Sequence, residues 1–208
     1  MLSQPDRPAG RNRTPTPPPV AVLARELGLP LLQPERALDA LDALRAAEPA
    51  AIAICAYGQL LPAELLALCP WLNLHPSALP RWRGAAPIER MLMAGDDETA
   101  VAIMRTVLEL DAGPVVAIER FPVGPDDDAA AVEAEALRRG VPLLAAALAA
   151  PGDGVPQTGT ATYAAKLERA DRLIDPTAHG VRETLDRVRA LRPRVGALLA
   201  LDGEAVTV

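Results

Sequence analysis

The chain has 208 residues, half of them apolar, with a formal net charge of −6 and a pI near 5.0. That length accommodates one substantial core with a smaller appended unit. The sequence has no apolar run near the ~18 residues of a membrane-spanning helix, and its acidic charge argues against a protein that coats nucleic acid through its overall field. Because the first residues lack the apolar core of a signal peptide, we expect a cytoplasmic protein without membrane contact.

The first residues of the chain are locally basic although the whole chain is acidic. Arg7, Arg11 and Arg13 stand there against the single carboxylate of Asp6. A basic loop of this kind can contact phosphate groups, whereas a solvated surface segment without a ligand is the alternative interpretation. The sequence therefore predicts a loop that either binds an anionic ligand or only faces solvent.

Apolar spacing predicts alternating helices and strands up to residue 150. Three-residue spacings indicate helices, whereas short apolar runs bounded by Gly or Pro indicate strands. The predicted elements are a helix from Val20, a strand in 29–36, a helix in 37–50, a strand covered on both faces over 50–57, a helix over 62–68, a strand over 71–75, a helix over 88–94, strands over 100–105 and 114–121, and one or two helices over 126–150. This alternation predicts an α/β fold with a mainly parallel sheet.

A segment rich in Gly and Pro, PGDGVPQTGT at 151–160, indicates a domain boundary. A helix over 177–193 and a hairpin with a turn at Asp202 and Gly203 are predicted after it, and these make a poor independent domain. The predicted division is a catalytic domain over 1–150, a linker over 151–165 and a partial C-terminal domain over 166–208.

The two cysteines carry no sign of metal binding. Cys55 lies inside an apolar strand pattern, and Cys69 precedes a proline. Neither has the spacing of metal ligands. We therefore expect both side chains to be reduced, buried and structural, and we expect no metal site.

The stretch WLNLHPSALPRWRGAAPIER, residues 71–90, gathers both tryptophans and one of the two histidines. In its strand, Asn73 and His75 are two residues apart, so their side chains project from the same side. Pro76 disfavours helical backbone at His75, and in open α/β sheets the carboxyl ends of strands bind ligands. An amide and an imidazole there suit the stabilisation of an oxyanion, although a structural pair that satisfies loop backbone is the alternative.

A histidine in such a role needs a carboxylate that fixes its tautomer. The segment ELDAGP, residues 109–114, places Asp111 on a loop between two predicted strands, which makes Asp111 the candidate. Gly113 and Pro114 indicate a tight turn, so an aspartate with a purely structural role is the alternative.

The motif NLHPSALPRWRGAAPIER resembles the signature of the folate-dependent formyltransferases, in particular those that act on methionyl-tRNA. Further segments are similar to that family in the same order: QPDRPAGR at 4–11, AYGQLLP at 56–62, the stretch over 93–116, and TYAAKLERADRLID at 162–175. The resemblance covers nearly the whole chain. It implies a Rossmann-like catalytic domain whose first strand, helix and strand are missing here, followed by an incomplete C-terminal β-barrel domain.

The resemblance implies transfer of a formyl group from 10-formyltetrahydrofolate to the α-amino group of methionyl-initiator tRNA, by a monomer that needs no metal and binds no DNA. Asn73 and His75 would bind the oxygen that becomes negative, while Asp111 would orient His75 and help to move protons. The residues implied for folate binding are Tyr57, Gly58, Gln59, Leu60, Ser77, Leu79 and Pro80. The residues implied for tRNA binding are Arg7, Arg11, Arg13, Arg81 and Arg83.

Several alternatives stay open at this point. Residues 57–60 can form a simple strand-to-helix turn, and Arg81 and Arg83 can pack and pair locally beside Trp82. A related formyltransferase acting on a nucleotide sugar or a purine precursor would share Asn73, His75 and Asp111. A catalytically impaired remnant that only binds tRNA or folate is the alternative from a different functional class.

Overall fold

The structure is a computed structural model that describes residues 1–9, 13–201 and 204–207. The chain divides into two compact units, residues 1–71 and residues 72–208. The domain division predicted at 151–165 stays a prediction. No helix in the described ranges has both the length and the apolar character of a membrane span.

The first unit packs short elements around Trp71. It contains strands β1 (Arg7–Ala9), β2 (Thr14–Thr16) and β3 (Ile52–Ile54), helices α1 (Pro19–Glu26), α2 (Leu41–Ala46) and α3 (Ala63–Leu66), and a 3-10 helix over Ala37–Ala40. Ala37, Leu65 and Trp71 form its buried cluster, and the Trp71 indole N–H donates to the carbonyl of Leu65 at 2.8 Å. β1 and β2 pair as an antiparallel ribbon.

Three predictions in the first unit are wrong. The predicted strand over 29–36 is reduced to one bridge, between Leu32 and Leu2, because the prolines at 30 and 34 cannot donate to a ladder. The strand predicted over 50–57 exists as β3, but Ala53 and Cys55 are exposed, so it is not covered on both faces and Cys55 is not buried. An apolar run in the sequence therefore does not show whether one face or both faces of the strand are buried.

The second unit carries a sheet between helices and a C-terminal extension. Its strands are β4 (Trp71–His75, beginning at the last residue of the first unit), β5 (Arg83–Gly84), β6 (Glu98–Arg105), β7 (Val115–Pro122), β8 (Tyr163–Ala164), β9 (Leu173–Ile174), β10 (Leu198–Leu201) and β11 (Glu204–Thr207). Its helices are α4 (Pro87–Met93), α5 (Ala129–Ala149), α6 (Val181–Leu191) and a 3-10 helix over Arg169–Arg172. Leu72, Leu74, Val101 and Ile103 share one buried cluster with side chains of α4 and α5.

The α/β class is confirmed with a mixed sheet, and the prediction of a mainly parallel sheet does not hold for the pairings of β6. β4 pairs with β6, and β6 with β7, and both pairs are antiparallel. The connection over 106–114 has no helix and is shorter than the dozen or so residues that a parallel crossover needs. A hairpin-like return from β6 to β7 is therefore the only pairing that this connection allows.

The C-terminal elements agree with the predicted helix and hairpin. α6 precedes β10 and β11, which pair antiparallel, while β9 joins β10 in parallel. The predicted turn at Asp202 and Gly203 lies outside the described residues. As far as the described residues go, β9, β10 and β11 form a three-stranded sheet and not a closed barrel.

Candidate active site

Asn73 and His75 occupy one face of β4, as the two-residue periodicity predicts. In the register of the sheet, Asn73 stands opposite Met104 and His75 opposite Ala102. Residues directly opposite each other in an antiparallel pair share a face. Met104 and Ala102 belong to a buried cluster with Leu79, so the loop that follows β4 covers the face that carries the two polar side chains.

His75 is buried at the carboxyl end of β4, and both of its ring nitrogens face acceptors. Nε2 lies 2.9 Å from the carbonyl oxygen of Trp82. Because a carbonyl can only accept, this contact requires a proton on Nε2. Nδ1 lies 3.8 Å from Oδ2 of Asp111, and the His75 side chain is only 6% exposed.

Asp111 links the connection between β6 and β7 to the loop after β4. Its Oδ2 accepts a hydrogen bond from the backbone N–H of Gly84 at 2.8 Å. Its own backbone has φ of 48°, a left-handed conformation that a non-glycine residue adopts at a cost and that clusters at functional sites. The structure thus brings together His75 and Asp111, which are far apart in the sequence.

The loop from Pro76 to Gly84 is fixed by hydrogen bonds inside the second unit. The Ser77 hydroxyl donates to the carbonyl of Arg81 at 2.8 Å, and the backbone N–H of Trp82 donates to the Thr162 hydroxyl at 2.9 Å. A Cβ at Gly84 would lie 2.7 Å from the carbonyl oxygen of Ala164, so no other residue fits there. Trp82 itself has φ of 64°, which is strained for a bulky side chain.

Arg81 and Trp82 share one carboxylate, that of Asp96. Arg81 donates two hydrogen bonds to it at 2.9 and 2.6 Å, and the Trp82 indole N–H donates a third at 2.9 Å. Burial raises the pKa of Asp96, but the hydrogen bonds from Arg81 and Trp82 outweigh burial and leave that pKa below its usual value. The Arg81 guanidinium also stacks 4.6 Å from the Trp82 ring centroid.

Arg83 is 9% exposed and is held internally. Its Nε and Nη2 donate to Oε1 of Gln157 at 3.0 and 2.9 Å, and its Nη1 donates to Glu109 at 3.2 Å. The contacts of Arg81 and Arg83 therefore favour the interpretation that both arginines pair locally, and their contact with tRNA stays a prediction.

The part of the predicted folate-binding set that comes from residues 57–60 lies in the first unit. The Gln59 amide accepts from the N–H of Ala37 at 2.7 Å and donates to Gln4 at 3.2 Å, so it already has internal partners. Leu60 is 82% exposed. The Tyr57 hydroxyl is buried and has no hydrogen-bond partner within the described chain, and burial raises the pKa of Tyr57.

The basic segment forms the β1–β2 ribbon of the first unit. Arg7 and Arg13 are exposed there, and Arg7 lies 3.6 Å from the exposed carboxylate of Glu35. Arg11 lies outside the described residues. In the predicted folate-binding segment of the first unit, Gly58 has φ of 77°, a left-handed backbone conformation that suits glycine in a turn.

Three groups at the site were not predicted from sequence: the Trp82 carbonyl, the Gly84 N–H and the Gln157 side chain. In the sequence, a glycine after an arginine-rich loop is a weak indication of the Gly84 N–H. Nothing in the sequence indicates the Trp82 carbonyl or the Gln157 side chain. A groove of about 560 Å³ adjoins the loop after β4; it is lined by residues 78–81, 115–118, 120 and 155–160.

Comparisons with known proteins agree with one another. A family sequence model described as formyl transferase matches residues 1–148. The chain is 42% identical over 212 residues to a methionyl-tRNA formyltransferase of Thermus thermophilus, covering 99% of this chain and 69% of that relative. A sugar N-formyltransferase of Shewanella sp. has a TM-score of 0.73 at 18% identity, covering 96% of this chain and 81% of the other. HypX of Aquifex aeolicus in complex with tetrahydrofolic acid has a TM-score of 0.66 at 20% identity, covering 88% and 33%.

Proposed function

The chain belongs to the formyl transferase family, and we propose that it transfers a formyl group from 10-formyltetrahydrofolate to the α-amino group of methionyl-initiator tRNA. The observation that carries the proposal is the juxtaposition of His75 and Asp111 on the face of β4 that also presents Asn73. These residues lie within the segments that resemble the family.

Asn73 and His75 act on the formyl oxygen. When the amine attacks the formyl carbon, this oxygen becomes negative, and the side-chain N–H of Asn73 and the Nε2–H of His75 donate to it. Each such donor lowers the barrier by about 2.7–4 kcal/mol. In the structure the Nε2 proton is donated to the Trp82 carbonyl, so the carbonyl has to move away before His75 can serve the oxygen.

Asp111 orients the imidazole and assists the proton transfer. Its Oδ2 lies 3.8 Å from Nδ1 and faces the ring, so it can hold the imidazole in one orientation. Over the whole reaction, a bond forms between the amine nitrogen and the formyl carbon, and the bond from that carbon to N10 of the folate breaks. The amine loses one proton and N10 of the folate gains one. Asp111 and His75 are the side chains at this face that can transfer a proton.

Separate observations support the folate assignment. The Tyr57 hydroxyl is a buried polar group that finds no partner within the described chain and that a folate could satisfy. Leu79 and Pro80 line the groove that adjoins the loop after β4. The neighbour HypX was solved with tetrahydrofolic acid, although a likeness at that identity concerns the fold alone.

The assignment of tRNA as acceptor rests on the relatives and on the basic segment. The curated relative from Thermus thermophilus is named for methionyl-tRNA. Arg7 and Arg13 are exposed and can reach phosphates, and Arg11 belongs to the same sequence motif. We propose that these three arginines, and not Arg81 or Arg83, contribute most of the tRNA contact.

A comparison of acceptors tests the proposal. The purified chain is incubated with 10-formyltetrahydrofolate and either methionyl-initiator tRNA or an amino sugar nucleotide, and formylated product is measured. We expect formyl-methionyl-tRNA from the first and no product from the second. Formylated product only from the amino sugar nucleotide would mean that the acceptor is the sugar and not the tRNA. No product from either acceptor would mean that the chain is a catalytically impaired remnant.

A further inference from the structure

The side chain of Gln157 joins three segments of the second unit. Its Nε2 donates to the backbone carbonyls of Asp111 and Gly113, each at 2.8 Å. Its Oε1 accepts two hydrogen bonds from the guanidinium of Arg83, at 3.0 and 2.9 Å. Every polar atom of the amide is therefore engaged, and both of its donated bonds end on the loop that carries Asp111.

The segment that presents Gln157 is itself anchored. Val155 and Val115 exchange two backbone hydrogen bonds of 2.8 Å, which attach this segment to the start of β7. On the other side, Arg83 is buried and holds the amide in one orientation. Because an amide with fixed donor and acceptor ends cannot rotate without losing these bonds, Gln157 holds the loop in a defined position.

The loop needs such support because its backbone is strained. Asp111 has a left-handed φ of 48°, which a non-glycine residue keeps only when surrounding contacts hold it. Gly113 is packed so closely that a Cβ would lie 1.7 Å from the carbonyl oxygen of Arg105. The two hydrogen bonds from Gln157 hold the carbonyl of Asp111 itself and that of Gly113, so they fix the backbone directly after the Asp111 side chain.

We propose that Gln157 is a positioning residue for formyl transfer, which keeps the Asp111 carboxylate against His75 by holding the loop over 109–113, while Arg83 orients the Gln157 amide. The inference rests on the proposed function, because Asp111 and His75 act in that reaction. The contacts that carry the inference are those of the Gln157 amide to the Asp111 loop and to Arg83, so the expected effect on the reaction passes through the position of Asp111.

Two variants of Gln157 test the proposal in the full chain. Gln157→Leu removes all four hydrogen bonds, whereas Gln157→Glu keeps an acceptor for Arg83 and loses the two donations to the loop. Since a misplacement of about 1 Å can cost about 100-fold in rate, we expect kcat to fall about 100-fold in both variants with KM little changed. Asp153→Asn, an exposed substitution in the same segment, is the matched control and should stay within about twofold of the native rate.

A double-mutant cycle separates positioning from general destabilisation. In an Asp111→Asn background, Gln157→Leu should cause no further loss of kcat, because the residue that it positions no longer acts. A full additional 100-fold loss there, or native kcat in both single variants, overturns the proposal.

A measurement without turnover keeps this inference distinct from the proposed function. The chain has two histidines, so the variant His179→Gln leaves the ring signals of His75 alone in a nitrogen-detected NMR spectrum. In that background, Gln157→Leu should displace the His75 Nδ1 signal in the same direction as Asp111→Asn. If the native chain forms no formyl-methionyl-tRNA but the signal moves, the function fails and the positioning stands; if transfer occurs and the signal is unmoved, the positioning fails alone.

Discussion

The loop after β4 in the second unit and the β1–β2 ribbon in the first unit are both rich in arginine, yet the two regions use this residue differently. Arg83 is buried and bonded to Gln157 and Glu109, and Arg81 is exposed but donates two short hydrogen bonds to Asp96, whereas the exposed Arg7 lies only 3.6 Å from Glu35. An arginine-rich motif therefore does not by itself indicate whether the arginines stabilise the fold or bind a ligand. A guanidinium that makes several short internal hydrogen bonds fixes the loop beside the reaction site, whereas one held only by a long contact to an exposed carboxylate, as Arg7 is, remains available to an anionic ligand.

The largest expected effect separates chemistry from binding. Asp111→Asn removes the charge that faces His75, and we expect kcat to fall by about 100-fold because the imidazole loses its orientation. The affinity for methionyl-tRNA, measured by filter binding, should stay within about twofold, since the Asp111 side chain is only 12% exposed. If Asp111→Asn instead lost affinity for tRNA and kept the native kcat, Asp111 would belong to tRNA binding and not to the reaction.

A smaller effect tests the internal role of Arg83. Arg83→Ala leaves the Gln157 amide without its donor, and we expect the free energy of unfolding to fall by about 2 kcal/mol in urea titrations. The contribution of Glu109 is modest because that side chain is 70% exposed. Arg7→Ala is the matched control, and its free energy of unfolding should change by less than about 0.5 kcal/mol. Equal effects from the two substitutions would remove the distinction between the regions.

The free energy of unfolding is expected to depend on pH through Asp96. Because the folded-state pKa of Asp96 lies below its usual value of 3.8, the stabilisation is fully present above that usual value and is lost as the pH falls through the lowered pKa. Asp96→Asn should reduce the free energy of unfolding by about 1 kcal/mol at pH 7, a figure discounted for the exposure of Arg81. The difference between variant and native chain should shrink as the pH falls below 3.8; a difference that grows in acid would contradict this account.

The smallest expected effect sharpens the description of the exposed ribbon. Arg7→Ala and Arg13→Ala should leave unfolding unchanged and weaken tRNA binding a few-fold each. Each phosphate contact that is lost should reduce the slope of log affinity against log salt by about 0.7–0.9. Parallel titrations with Arg81→Ala should show the native slope, and a larger loss of slope for Arg81→Ala would place the tRNA on the loop after β4.

Local pattern predicted much of the fold. The strand Trp71–His75, the helices and the C-terminal hairpin follow from apolar spacing and from the prolines and glycines at their ends. The register confirms that Asn73 and His75 share a face. The antiparallel pairing of β6 and β7 follows from the short connection between them, whereas the composition of the strands, on which the prediction of a mainly parallel sheet rested, does not indicate pairing direction.

The surroundings of the candidate site were predictable only in part. A carboxylate near His75 was expected on chemical grounds, but the groups that hold it come from distant segments. Gln157 contacts the Asp111 carbonyl across 46 residues, and the Trp82 carbonyl is a backbone atom that no side-chain pattern indicates. Such contacts depend on loop conformation, which sequence periodicity does not describe.

The rate of a single round of formyl transfer tests the central claim most directly. With 10-formyltetrahydrofolate and methionyl-initiator tRNA both saturating, the native chain is compared with Asn73→Ala and with His75→Ala. We predict rates about 100- to 1,000-fold below native for each variant, with cooperative unfolding retained, because each loses one donor to the developing oxyanion. A native rate in either variant would contradict the assignment of the reaction to this face of β4.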